Sequence, residues 1–230
     1  MNFNTLLFMI FPYVSIAIFI IVTIYRSIFR PFTVSSLSSQ LLERRWLYWG
    51  SISFHWGVAL ILTGHLLALL VPQSLVIWNA APLRLYLLEL TALALGIWCL
   101  AGLVVLTWRR LSNKRIRVVT TPMDLVIMVL LLASVITGVT IAIVYRFGSY
   151  WFTSVFSPYL WSILTLQPQP AIIAPLPWVI QLHMLNFFVL LAVLPFSRLI
   201  HILTYPLGYL LRPWQIVVWY RRVTRLDPRV

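Results

Sequence analysis

Phe54-His55-Trp56-Gly57-Val58-Ala59-Leu60-Ile61-Leu62-Thr63-Gly64-His65 is the stretch on which the fold turns. It lies within an apolar run from Leu47 to Val71, and its two histidines stand out against that background. A helix crosses the ~30 Å hydrocarbon layer with about 20 residues, so a run of this length reads as a membrane span. Four more runs share the pattern: Asn4 to Tyr25, Leu85 to Trp108, Met123 to Tyr145, and Pro177 to Thr204. None alternates with period two, which argues against strands. With 62% hydrophobic and only 9% charged residues, the chain has too little charge to clothe a soluble domain. The expectation is an all-α integral membrane bundle of five transmembrane helices over residues 1–204, followed by a basic tail, 205–230. The apolar start, Met1 to Tyr25, lacks a charged leader and a small-residue cleavage site, and reads as a retained span.

The net charge of +13 would suit nucleic acid, but its distribution points elsewhere. Arg26, Arg30, Arg44 and Arg45 follow the first run, Arg109, Arg110, Lys114, Arg115 and Arg117 follow the third, and Arg212, Arg221, Arg222, Arg225 and Arg229 follow the fifth. The other two loops hold one basic residue each, Arg84 and Arg146. By the positive-inside bias the N-terminus is expected outside and the C-terminus in the cytoplasm. Cys99 is the single cysteine, so no intrachain disulfide forms.

All four histidines fall in predicted spans, His55 and His65 on the second, His183 and His201 on the fifth. Ionisable side chains in lipid are costly, which makes such residues functional by default. One alone would serve as a hydrogen-bonded packing residue; two and two on only two helices do not suit that reading. The second span runs outward and the fifth inward. Depth therefore pairs His65 with His183 near the outer face and His55 with His201 near the inner one. Each pair suits the two axial positions of a haem b, with neutral imidazole as ligand. His183 and His201 are eighteen residues apart, five turns and about 27 Å along one face of a continuous helix. His55 and His65 are ten apart, about 15 Å in height and roughly 80° around the axis. Tilt and a kink at Pro195 are expected to absorb the difference.

Three neighbouring features carry two readings each. Gly50, Gly57 and Gly64 recur every seven residues and admit either a haem ring or another helix. Arg198 lies three residues before His201 and suits a haem propionate or a lipid phosphate. The segment from Tyr150 to Pro177 is rich in aromatics and proline. It reads as a short interfacial helix with an extended lead-in to the fifth span, serving as an anchor or as a cover over an outer site.

Taken together, these residues resemble the gamma subunit of membrane-bound respiratory nitrate reductase, a five-span dihaem cytochrome b. The resemblance rests on Ser38-Ser39-Gln40-Leu41-Leu42-Glu43-Arg44, the histidine block above, Leu194-Pro195-Phe196-Ser197-Arg198-Leu199-Ile200-His201, and Thr120-Thr121 leading into Asp124. It implies a multi-pass protein of the prokaryotic inner membrane, oxidising quinol near the outer haem and releasing protons outside. Electrons would continue to the inner haem, to a cytoplasmic iron–sulfur subunit, and to a molybdenum-containing catalytic subunit that reduces nitrate. It also implies a quinol contact near Gly64 and His65, with Arg84 as the nearest counterpart of a family lysine; Arg84 equally suits snorkelling to lipid. Tyr145 to Pro177 departs from the family pattern.

Related dihaem anchors serve nitrite-oxidising and sulfur-metabolism complexes. A histidine-relay transporter is a reading of another class, and it needs acidic partners, for which Glu89 and Asp124 are the candidates. A cofactor-free anchor would have no use for histidines at matched depths.

Overall fold

The computed structural model describes residues 3–30, 39 and 41–202, and no strand occurs among them. Five helices are long and apolar enough to cross a membrane: Phe3–Phe29, Arg45–Leu70, Pro82–Ser112, Pro122–Val144 and Trp178–Phe196. The first four match the expected runs to within four residues, while the fifth ends at Phe196, short of the expected Thr204 and before His201; they are numbered here as spans one to five. The tail 205–230 and Thr204 lie outside the described residues.

The spans form an open arc. Span two packs along span three, three on four, four on five, and five on one. The two histidine-bearing spans, two and five, share no extensive contact, so a gap separates them. Span two meets span three at glycines: a Cβ on Gly57 would lie 2.7 Å from the Cys99 Cβ, and one on Gly102 would lie 2.6 Å from the Phe54 amide nitrogen. Phe54, Cys99 and Leu103 fill the seam between them. Leucines, isoleucines and valines elsewhere on the spans face outward in large number, as lipid-facing helices require.

Prolines set the irregularities. Pro12 has no amide hydrogen for the carbonyl four residues earlier, and the chain opens into a π-helical turn at Leu6–Ile10. The Phe8 carbonyl, released by this, accepts the Tyr159 hydroxyl at 2.8 Å. Pro195 acts more strongly than the expected kink. The α-helix of span five ends at Val193, a 3-10 turn follows at Leu194–Phe196, and Ser197 is extended (φ −104°, ψ 177°) before a second 3-10 turn at Arg198–Ile200. The Ser197 hydroxyl accepts the Leu199 amide at 3.1 Å and so starts that turn. Arg26 of span one donates to the Pro195 carbonyl and, at 3.3 Å, to that of Ser197, carbonyls the broken helix leaves open. His183 and His201 therefore do not lie on one continuous helical face.

Two buttresses close the arginine-rich end. Arg109, only 3% exposed, pairs with Glu43 at 2.5 Å and donates to the Glu43 carbonyl and to Ser39. Glu43 in turn accepts the Trp46 and Leu47 amides that open span two. Burial opposes its charge, but those amides and Arg109 hold the Glu43 carboxyl below the usual carboxylate range. Asp124 forms a capping box with Thr121 at the start of span four. It also pairs with Arg110 at 3.1 Å and Arg198 at 3.5 Å.

At the opposite end, residues 148–164 form one nearly continuous helical segment made of Gly148–Trp151, a π-helical turn at Phe152–Phe156, and Ser157–Leu164. It lies in the bundle rather than beside it. Phe156, Tyr159 and Ile163 are buried with Phe8, Ile180, Met184 and Phe188 of spans one and five. Ser157 and Trp161 donate to the Ala68 and Leu69 carbonyls, open acceptors of the last turn of span two.

Candidate functional site

The gap between spans two and five collects all four histidines. His55 and His65 project from span two, and both are exposed in the protein alone. At the arginine-rich end the His55 and His201 rings stand 6.5 Å apart between centres, inclined by 45°. The break at Ser197 turns the chain so that His201 meets His55. At the other end Phe152 of the helical segment 148–164 meets the His65 ring edge-on at 5.2 Å, and His183 comes from span five.

The hydrogen bonds fix how each ring presents itself. His55 Nδ1 lies 2.8 Å from the Ser51 carbonyl, His65 Nδ1 2.8 Å from that of Ile61, and His201 Nδ1 2.8 Å from that of Arg198. A carbonyl only accepts, so in all three rings Nδ1 carries the proton and donates it. His183 Nδ1 faces the Thr137 hydroxyl oxygen at 2.8 Å. That hydroxyl already donates to the Ala133 and Ser134 carbonyls at 2.6 and 3.1 Å, so here too Nδ1 is the donor. No Nε2 atom of the four has a hydrogen-bond partner among the described residues. Every ring thus offers a lone pair at Nε2, with its other nitrogen oriented by a partner, as metal-ligating histidines do.

Among the described residues no group of three or more His, Cys, Asp and Glu side chains gathers as a metal cage. Pairs do gather, and a pair suffices for a macrocycle that brings four equatorial nitrogens itself. Metal–imidazole bonds of about 2 Å require ring centres about 6 Å apart, and His55 with His201 meets that spacing. The donor set fits haem b.

The remaining predicted residues divide. Gly50 and Gly57 meet span three, so their part of the stripe is helix packing; Gly64, beside His65, has nothing within 4 Å of an added Cβ and faces open space. Arg198 reaches Asp124 and borders a cleft of about 200 Å³ with Arg26, Thr121 and Ser197. Arg84 lies over the Trp78 ring at 5.3 Å and donates to the Ile77 carbonyl at 3.4 Å, on the short helix Pro72–Asn79. Those contacts join it to that helix, not to His65. Glu89 accepts the Ser149 amide and hydroxyl at 2.8 and 2.6 Å, while Asp124 is engaged by two arginines. Neither carboxylate is hydrogen-bonded to a histidine, which leaves a proton relay without its acidic links.

Thr137, Gly138 and Asn186 escaped the sequence reading. A Cβ on Gly138 would lie 3.2 Å from His183 Cε1, and Asn186 donates to the Leu130 carbonyl and the Ser134 hydroxyl at 2.9 and 2.6 Å. Their signal was present as small and polar residues at helical spacing, Ser134, Thr137 and Gly138, inside an otherwise aliphatic span.

Residues 4–220 match the family described as nitrate reductase gamma subunit. The nitrate reductase gamma chain of Bacillus subtilis is 33% identical over 217 residues, covering 93% of this chain and 96% of the relative. The respiratory nitrate reductase 2 gamma chain of Escherichia coli is 30% identical over 222 residues, again covering 93% and 96%. The nitrate reductase-like protein NarX of Mycobacterium tuberculosis is 33% identical over 216 residues, 89% of this chain but 32% of that longer protein.

Proposed function

Because the chain belongs to the nitrate reductase gamma subunit family, the membrane component of a multisubunit nitrate reductase, we propose that it is the quinol-oxidising dihaem cytochrome b of such a complex. His55 and His201 hold one haem b, and His65 and His183 hold the other. The observation that carries this reading is the common state of the four rings: Nδ1–H donated, Nε2 open, two rings on each side of one gap. When bound, the two haems supply one-electron carriers linking the two ends of the bundle.

The arginine-rich end faces the cytoplasm, since fourteen of the seventeen basic residues lie in the two loops and the tail on that side. The chain's N-terminus is then outside. Quinol is oxidised beside His65 on the outer side, where Gly64 leaves room for a flat ring and Phe152 helps to close the site from water. Arg84 stands at the outer mouth as the cation available to a quinol oxygen, released from Trp78 when substrate enters. Electrons leave at the cytoplasmic end to an iron–sulfur subunit and then to a molybdenum-containing catalytic subunit. Nitrate is reduced there; no catalytic side chain for that chemistry is assigned in this chain. Arg198, beside His201, is shared between Asp124 and a haem propionate.

The test uses the intact membrane complex. The expected result is two b-type haems per chain, both reduced by added quinol and reoxidised by nitrate. Haem well below two per chain, or haems that quinol does not reduce, would refute the proposal.

A further inference from the structure

We infer that Thr137 is a positioning residue for the outer haem, setting the donor strength of His183 from a different span. The inference rests on His183 being a haem ligand, as proposed above. Three of the four histidines are oriented by a carbonyl of their own chain segment, three or four residues earlier. His183 alone is oriented by a side chain on another helix. The Thr137 proton is committed to the Ala133 carbonyl at 2.6 Å and to the Ser134 carbonyl at 3.1 Å. The oxygen therefore meets His183 Nδ1–H with a lone pair, at 2.8 Å. That contact draws proton density from the imidazole and so sets how strongly Nε2 would donate to iron.

Two further contacts show that the arrangement is built. The absence of a side chain at Gly138 lets the His183 ring settle on span four, where an added Cβ would stand 3.2 Å from Cε1. Asn186, three residues after His183 and 7% exposed, donates to the Leu130 carbonyl and Ser134 hydroxyl of span four. That pair fixes the register in which Thr137 faces His183. Water at this depth is scarce, so nothing replaces the hydroxyl if it is removed.

A partner that accepts the far ring proton raises ligand basicity. A more basic ligand favours ferric iron and lowers the potential, so removing the acceptor raises it. The experiment is a redox titration of the intact complex followed optically and by electron paramagnetic resonance. Thr137→Val keeps the shape and deletes the oxygen. It is expected to raise the midpoint potential of one haem and shift that haem's low-spin signal, with the other haem unmoved as an internal control. Thr137→Ser is expected to restore both readouts. If Thr137→Val does not retain two haems, Thr137→Cys places a weaker acceptor at the same position, and an upward shift of one potential is expected. Two haems retained with both potentials and both signals unchanged overturns the inference, as does an equal shift of both haems. A haem-free wild-type protein overturns the dihaem reading instead, and the two failures are told apart in the unmodified complex.

Discussion

Two parts of the surface of span two are built on opposite principles. One face meets span three so closely that Gly57 and Gly102 have no room for a methyl group. Elsewhere on the same helix His55, His65 and Gly64 are exposed, and span five is touched only sparsely. Membrane helices cannot rely on the hydrophobic effect to associate, and close backbone approach supplies the dispersion contacts that hold them together. Once spans two and three are fixed in this way, the open face can keep side chains that lipid would penalise. The glycine stripe itself changes along the helix, with Gly50 and Gly57 packed on span three and Gly64 open.

Removing a group from the open face should cost function while leaving the fold. Replacing His65 with alanine is expected to abolish quinol-dependent nitrate reduction in the complex while the chain still accumulates in the membrane; unchanged activity would break the distinction. On the closed side, the latch at the end of spans two and three carries the largest stability effect. Replacing Arg109, 3% exposed and paired with Glu43, with methionine leaves a partly exposed carboxylate without its cation and is expected to cost roughly 2–3 kcal/mol. Thermal unfolding of the detergent-solubilised complex measures this. Gly102→Ala forces a methyl against the Phe54 backbone and is expected to cost about 1–3 kcal/mol, the usual range for overpacking.

The same latch predicts a pH dependence. Because the folded Glu43 carboxyl titrates below its ordinary value of 4.5, its contribution is present above that pH. It is lost as pH falls through the lower, folded value. Glu43→Gln is expected to flatten this acid limb of a melting-temperature profile, and an identical limb in the variant would remove the latch from the account. The smallest stability effect belongs to Gly64→Ala. Its added methyl meets nothing within 4 Å, so melting should not change measurably, and any effect should fall on the apparent quinol affinity. A large loss of stability at Gly64 would show that the open face is packed after all.

Much of this division was legible in the amino-acid sequence. Span length follows from bilayer thickness, so the five apolar runs gave the helices directly. The depth matching that paired His55 with His201 needed only the charge distribution and residue counting. The local break was less legible. Pro195 signals a missing donor, but whether the helix bends or ends depends on tertiary groups that take over the released carbonyls, here Arg26 from span one. The glycine stripe was ambiguous for a related reason, since a seven-residue period describes a face without saying what lies against it. Thr137 was hidden because a threonine bonded back to its own helix is ordinary until a histidine from another span is placed beside it. The helical segment 148–164 likewise showed its aromatic residues in advance but not that Phe152 would reach His65.

The pairing of histidines across the gap is the central claim, and low-spin haem signals of four single alanine variants test it most directly. Electron paramagnetic resonance of the intact complex should resolve two such signals. Replacing His55 or His201 should remove one and the same signal, and replacing His65 or His183 should remove the other. Loss of a common signal on replacing His65 and His201 would contradict the account.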